Sequence, residues 1–356
     1  MILNKIIIWG FEFHNHTHSY IHNSLYIGFN HMGYKVYWYN GQGKNNYPDR
    51  GEPENFENTL YIVVGVESKY VPLNESSYYI WHTYSCPIYK EFTGTEYKIP
   101  INSNFKNCNG IPYNNLLKLH TLWKPCENNC CNDKDNGCNS WSRESWSNKN
   151  VFLTHYYYYN LDHNIVYMPW ATDLLPDQIQ KNIDNLKNIK TINISNFIGM
   201  RLPHWDNYAH ELRKYNIQYN GYGGTFNINS NKNCSIEQNM KLIQESIIAP
   251  ALQDPHQIKH EYIPCRIFKN ISYGKMGITN SPAVNKLFNN KLIYSNNISE
   301  LVKEGIEFEQ RSDKYEKIKE LMEEVRDNHT YINRIEFILE FLNKFKNVSV
   351  RKINTE

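Results

Sequence analysis

The chain has 356 residues, 40% of them hydrophobic, which is room for one large domain or two ordinary ones with packed cores. Lysine plus arginine (38) nearly balances aspartate plus glutamate (36), for a formal net charge of +2; that weighs against a protein built to coat nucleic acid, so none is expected as a partner and any basic site must be local. No apolar run approaches the length of a membrane span, and MILNKIIIWGFEF at the start lacks the long apolar core and small-residue cleavage site of a secretory signal, so a cytoplasmic location is expected.

In chain order, KIIIW reads as a first strand and SYIHNSLYIGFNHMG as a helix stopped near Gly33. KVYWY, LYIVVG and YYIWH follow as strands, short, β-branched and aromatic, with the continuous apolar character of strands buried on both faces of a parallel sheet. Residues 103–150 are polar and irregular apart from a short helix expected at NNLLKLH, and NVFLTH and NIVYMPW close the first sheet. ATDLLPDQIQKNIDNLKN is read as a crossing linker. A second alternating series then runs through the strand TINISNFIG, the helix WDNYAHELRKY, the strand IQYN, and the helix SIEQNMKLIQES, where Ser235 and Gln238 fit a capping box. The strand IIAPAL, the stretch HEYIPCRIFKNISYGKMGITNS, the helix SPAVNKLF, the strand KLIYS and the helix SELVKEG continue it, and two helices end the chain.

Two such βαβ series predict an α/β protein of two Rossmann-like domains facing across a cleft: an acceptor domain over 1–170, a linker over 171–190, a nucleotide-binding domain over 191–335, and a final helix over 336–356 packing back toward the first domain. Ligands of such folds bind at the carboxyl ends of the strands. There is no GxGxxG fingerprint, which argues against a dehydrogenase-type dinucleotide site.

The chemistry concentrates at residues 260–281. Pro264 and Gly274 bracket a helix whose first turn carries Arg266 and Lys269, where the amino end already bears partial positive charge. Three residues apart, the two cations share a face, and with the free backbone N–H groups they read as a socket for a phosphate or diphosphate. A solvated helix whose cations pair with carboxylates is the plain alternative. Gly223 and Gly224 in GYGGTF allow close backbone approach to a ligand, although an ordinary tight turn explains them equally well.

Histidines cluster in EFHNHTHSYIH. His14 and His16 lie in the first loop after the first strand and are candidates for a general base or for binding substrate hydroxyls. His18 and His22 could share a helix face as zinc ligands do, but no acidic or cysteine partner stands nearby at a ligand spacing. His82, ending a strand, is a second candidate for a catalytic or sugar-contacting role, against a core histidine. Tyr156 to Tyr159 are read as packing before sugar stacking. Cys126, Cys130, Cys131 and Cys138 form no CxxC pair and are read as incidental thiols in a polar insertion.

The carboxyl-terminal half resembles the GT-B glycosyltransferases, specifically the group-1-like family that includes spore-maturation glycosyltransferases. The likeness rests on RIFKNISYGKMGITNS at 266–281, LIYSNNISELVKEG at 292–305 and HTYINR at 329–334, and spans roughly 240–345. It implies transfer of a sugar from a nucleotide-diphosphate sugar to a hydroxyl of a glycan or small acceptor. It implies, too, that Glu261 lies near the transferred sugar, that Arg201 reaches the diphosphate, and that His329 caps the join to the last helix. Lys269 stands where the family usually has a second glutamate holding the ribose, a departure. Side-chain neutralisation of the diphosphate needs no metal and no further cofactor, in keeping with the lack of a metal-binding Asp-x-Asp motif in a suitable setting; NDKDNG, with Asp133 and Asp135, falls in the polar insertion. The rival readings are a sugar-nucleotide epimerase and a non-catalytic glycan-binding or structural protein of the same fold.

Overall fold

A computed structural model describes residues 1–64, 70–83, 115–120, 157–161, 165–199, 201, 204–223, 234–259 and 261–353. The cysteine cluster at 126–138, NVFLTH, Tyr156 and Gly224 lie outside the described residues. The chain divides into two compact units, Met1–Pro169 with Arg334–Glu356, and Trp170–Asn333.

The first unit is built on a sheet of seven described strands: β2 (Lys5–Gly10), β3 (Val36–Asn40), β4 (Thr59–Val64), β5 (Tyr78–Thr83), β6 (Leu116–His120), β7 (Tyr158–Asn160) and β8 (Ile165–Tyr167), in the order β3-β2-β4-β5-β6-β8-β7. All neighbours are parallel except β7 with β8. Alternate residues feed opposite faces, and both sets are buried: Ile7, Tyr61 and Tyr79 on one face, Ile6, Ile8 and Ile80 on the other. That explains the near-continuous apolar strands. NNLLKLH, expected as a helix, is β6; Leu117 lies opposite Ile80, and pairing on both sides with β5 and β8 outweighs the helix preference of leucine and lysine.

Helix α1 (Thr17–His31) follows β2 and ends before Gly33, whose φ of 80° suits glycine. A short strand β1 (Ile2–Leu3) pairs in parallel with β13 (Ser349–Val350) at the other end of the chain. The tyrosine run is packing where described: Tyr157 stacks on Phe337 at 4.2 Å and Tyr159 meets Phe341 and Phe345. The fully buried Arg334 donates from Nε to Pro169 O (2.9 Å) and from Nη1 to Tyr157 Oη (2.7 Å), which satisfies a cation that would otherwise be costly there.

The second unit contains α2 (Pro176–Asp184), β9 (Ile194–Ile198), α3 (Trp205–Arg213), β10 (Gln218–Tyr222), α4 (Ile236–Glu245), α5 (Pro255–Lys259), α6 (Cys265–Ser272), β11 (Ile278–Thr279), α7 (Pro282–Leu287), β12 (Ile293–Tyr294), α8 (Ile298–Glu309) and α9 (Lys314–Asn328). Strands β9 and β10 pair in parallel, as do β11 and β12. IIAPAL, expected as a strand, runs extended between these pairs but bonds sparsely: Ile247 N donates to Ile194 O and Ala251 N to Ile278 O, each at 2.8 Å. Pro250 supplies no N–H, so a regular ladder cannot form. The segment read as a linker instead carries α2, whose Ile179 and Ile183 join the core of this unit with Ile267, Phe268 and Ile271 of α6. Ser235 and Gln238 do form the capping box of α4. Helix α10 (Tyr331–Lys346) crosses from the second unit to the first. Among the described residues no helix is long and apolar enough to cross a membrane.

Candidate functional site

Helix α6 starts with Pro264 in extended conformation at the N-cap, one place earlier in role than the sequence suggests, and stops at Gly274 (φ 94°). Its apolar stripe of Ile267, Phe268 and Ile271 is buried, so the helix is anchored and its cations are aimed by the backbone. They do not share a socket. Lys269 Nζ lies 2.8 Å from Asp173 Oδ2, whose side chain is 2% exposed. Asp173 also accepts the Tyr273 hydroxyl at 2.7 and 2.8 Å. A carboxylate so deeply buried needs a counter-charge, and Lys269 is it. Burial, together with the charge of Asp173, pushes the Tyr273 phenol well above its usual range.

Arg266 points the other way. Its Cζ sits 4.0 Å over the Phe197 ring, and Nη2 donates to Ile198 O at 3.3 Å. Its Nε is buried without a hydrogen-bond partner, and no carboxylate pairs with it among the described residues. Burial lowers its pKa to about 10, with Cys265, Tyr262 and Tyr219 pulling it back up. The group thus stays charged at neutral pH, in a place where charge is poorly solvated.

Gly199, which follows β9, lies against this guanidinium, and Gly223, which follows β10, lies against Gly199. Gly199 (φ 141°) has Arg266 Nη2 where a Cβ would be, and a Cβ on Gly223 (φ 128°) would run into the carbonyl of Gly199. Gly199 N also donates to Tyr222 O at 2.8 Å. Both glycines are therefore required by backbone conformation and by space. Gly223→Ala should destabilise the second unit by about 2 kcal/mol, the scale of a disallowed backbone angle plus a backbone clash, read as a lowered melting temperature.

Arg201 is ion-paired with Asp206, and both are exposed. Its charge and that of Arg266 are both felt by the Tyr219 hydroxyl, so β10 brings the two arginines into one neighbourhood. His204, which the sequence reading did not single out, is the N-cap residue of α3 and makes no side-chain cap bond; its Nε2 is buried without a partner, and it feels both Asp254 and Arg266. The only cue in the sequence was its place just ahead of WDNYAHELRKY. Glu261 follows α5 and adopts φ 50°, a left-handed conformation that costs a non-glycine residue about 1–2 kcal/mol. Its amide bonds to Ile258 O at 3.1 Å, closing the turn that delivers the chain to α6.

In the first unit, His16 is the N-cap of α1: its Nδ1 accepts the His18 amide at 3.2 Å and lies 3.1 Å from His18 Nδ1. A nitrogen that accepts the amide cannot also donate, so the shared proton belongs to His18 Nδ1, and His16 is a neutral ring with its own proton on Nε2. Burial lowers the pKa of His16, and burial with His16 takes His18 to about 3. His82, buried on β5, lies 5.6 Å from His18 between ring centroids. His22 is also buried, held by burial near pKa 3 and packed where a Cβ of Gly10 would stand. Phe11 stacks on His16 at 4.0 Å, and His16, His18, His22 and His82 form one cluster past β2. His14 stands apart, with φ 69°, stacked on Phe13 and bonded through Nδ1 to Tyr20 Oη (3.2 Å). Among the described residues no three His, Cys, Asp or Glu side chains converge as metal ligands do.

His329 caps the carboxyl end of α9, fully buried against Phe268 at 4.8 Å, and its carbonyl accepts Thr172 N–H at 3.0 Å.

No family model matches the chain, and no curated protein sequence does either. Solved structures do match. An α-glucosyltransferase in complex with UDP-glucose and DNA containing an abasic site aligns over 95% of this chain and 99% of its own, with a TM-score of 0.54 and 10% sequence identity. An α-glucosyltransferase with UDP and a 13-mer DNA containing an HMU base aligns over 94% and 99%, at 0.54 and 9%. An α-glucosyltransferase in complex with UDP aligns over 94% and 99%, at 0.51 and 10%. At such identities the likeness establishes architecture alone: the chain has the GT-B fold, two Rossmann-like α/β units.

Proposed function

We propose that the protein is a glycosyltransferase that moves a sugar from a nucleotide-diphosphate sugar to a hydroxyl of a glycan or small acceptor. The observation that carries this reading is Arg266: a half-buried side chain, held by Phe197 and Gly199, whose Nε is buried without a hydrogen-bond partner. A desolvated cation without an anion is costly, and a diphosphate at the amino end of α6 would satisfy both the guanidinium and the free N–H groups of the first turn. Arg201, whose charge reaches Tyr219 as that of Arg266 does, and Gly223, packed on Gly199, are assigned to complete the grip. The resemblance of residues 240–345 to the spore-maturation group agrees with this role, as does the GT-B fold.

Stabilisation of the leaving diphosphate by Arg266 and Arg201 would lower the barrier to breaking the anomeric bond. Glu261, on its strained turn, is assigned to the transferred sugar, as strain held at a ligand-side position suggests. In the first unit the imidazoles, with His16 and His82 foremost and His14 apart from their cluster, are assigned to the acceptor hydroxyl. Lys269 is left out, since Asp173 holds it. We include metal-independent turnover in the proposal, because the cationic side chains take the part a divalent ion would play; turnover unchanged by EDTA is the corresponding expectation. The structural neighbours include glucosyltransferases complexed with DNA, whereas the balanced charge of this chain favours a smaller acceptor.

A thermal-shift screen with UDP-, GDP- and dTDP-glucose tests the reading. A ligand at 100 times its dissociation constant stabilises the folded state by about 2.7 kcal/mol, so one of the three should raise the melting temperature by several degrees. Nucleotide release on adding oligosaccharides, small polyols or hydroxymethylated DNA then separates transfer from binding alone and identifies the acceptor class. No shift with any of the three would refute the assignment.

A further inference from the structure

Two buried polar atoms near the ends of β9 and β10 lack hydrogen-bond partners in the same neighbourhood: Arg266 Nε and His204 Nε2. A short chain of rings lies between the two residues. Phe197 carries the Arg266 guanidinium at 4.0 Å and the Trp205 ring at 3.8 Å, and Trp205 lies 6.1 Å from its neighbour His204. His204 also opens α3, a nine-residue helix whose first amides have no side-chain cap. Gly199, which meets Arg266, and His204, which opens α3, stand five positions apart in the chain.

We propose that His204 is a second contact for the diphosphate and that it takes up one proton from solvent when the anion binds. This rests on the donor-site reading above and adds to it a residue and a linked protonation. In the free protein the ring is neutral at pH 7. Burial lowers its affinity for a proton and Arg266 lowers it further, while Asp254 alone among its charged neighbours raises it. Arg201 and Asp206, on the loop and on the first turn of α3, neutralise each other through their ion pair; Tyr219 of β10 stays protonated because burial raises its pKa out of range. A diphosphate seated on Arg266 screens the guanidinium and adds negative charge, both of which favour the imidazolium. The proton then becomes the donor of a charge-assisted hydrogen bond from a ring that otherwise has a buried nitrogen without a partner.

The sign follows from linkage. The free-state pKa is depressed and the bound-state pKa is higher, so protons are absorbed on binding between those two values, and affinity falls as pH rises through that window. Sugar nucleotides are suitable probes because their diphosphate, esterified at both ends, lacks the ionisation near pH 6 of a terminal phosphate. Titration calorimetry of the whole protein with UDP-, GDP- or dTDP-glucose, whichever binds, in two buffers of different ionisation enthalpy at pH 7 should show uptake of a sizeable fraction of one proton. Affinity should be about fivefold weaker at pH 8 than at pH 6, as a bound-state pKa inside that interval requires. His204→Gln, which keeps size and a hydrogen-bonding end but cannot titrate, should flatten the pH profile, abolish proton uptake, and weaken binding about tenfold at pH 6, with little change in the melting temperature of the free protein. Binding by the unaltered protein with no proton uptake and a flat profile would overturn the proposal while leaving the donor site standing. Uptake that persists in His204→Gln would also overturn it, since another group would then carry the proton. Failure of all three nucleotides to bind would remove the donor site itself and this proposal with it.

Discussion

Arg266→Ala should lower affinity for the nucleotide sugar at least about 100-fold while leaving the melting temperature of the free protein unchanged or slightly raised. The two halves of that expectation share one cause. In the free protein the guanidinium contributes little to stability: its one hydrogen bond among the described residues, to Ile198 O, is long at 3.3 Å, its Nε has none, and burial disfavours its charge. Removing such a group gives up the Phe197 contact and relieves a desolvated cation, so the terms nearly cancel. With a diphosphate bound, the same group supplies charge-assisted bonds to a doubly charged ligand, and truncation forfeits roughly 3 kcal/mol. Arg266→Lys is the informative control: it keeps the charge but not the planar fork that lies flat on Phe197, so it should recover only part of the affinity. Isothermal titration with the nucleotide sugar found in the screen, beside melting curves of the ligand-free variants, gives both numbers. Equal affinity in Arg266→Ala would place the diphosphate elsewhere.

Much of the architecture was legible because its signals are local. Strands buried on both faces announce themselves as short continuous apolar runs, and β2, β3, β4 and β5 each fall within a residue or two of the expected segment. Ser235 and Gln238 marked the start of α4 for the same reason, since a capping box is a property of four successive residues. The failures came mostly from partners distant in sequence. Leu116, Leu117 and Leu119 carry no strand signal stronger than their helix preference until β5 and β8 are present on either side. IIAPAL has a strand's composition, yet Pro250 denies it a ladder. Arg266 was singled out from helix-end electrostatics and from its place after an apolar strand, both local arguments. Its supposed companion Lys269 was misplaced because the deciding residue, Asp173, lies almost a hundred positions earlier in the chain. His204 escaped notice for the same reason: nothing in LPHWDN reveals that a guanidinium from α6 lies close by.

That displaced lysine gives the largest effect on stability. Lys269→Met should destabilise the second unit by about 3 kcal/mol, because it leaves the Asp173 carboxylate buried without its counter-charge. The value is set at the lower end of the range for broken buried pairs, since Lys269 is 19% exposed and water can partly replace it. Tyr273 still donates to both carboxylate oxygens, but a neutral hydroxyl does not offset a full charge. For a unit of this size such a loss corresponds to a fall in melting temperature on the order of 10 °C. Asp173→Asn should be milder, near 1 kcal/mol, because the amide oxygen can still accept from Tyr273 and the freed ammonium can turn toward solvent. Combining the two changes should recover most of the loss of Lys269→Met, as an uncharged pair leaves no buried ion behind. The same variants separate scaffold from site: if Asp173 and Lys269 only fasten the segment around Thr172 to α6, nucleotide-sugar affinity in the double variant should stay within about twofold of the original at a temperature where both are folded. A tenfold loss there would return Lys269 to the diphosphate and show that its bond to Asp173 is exchanged for the ligand.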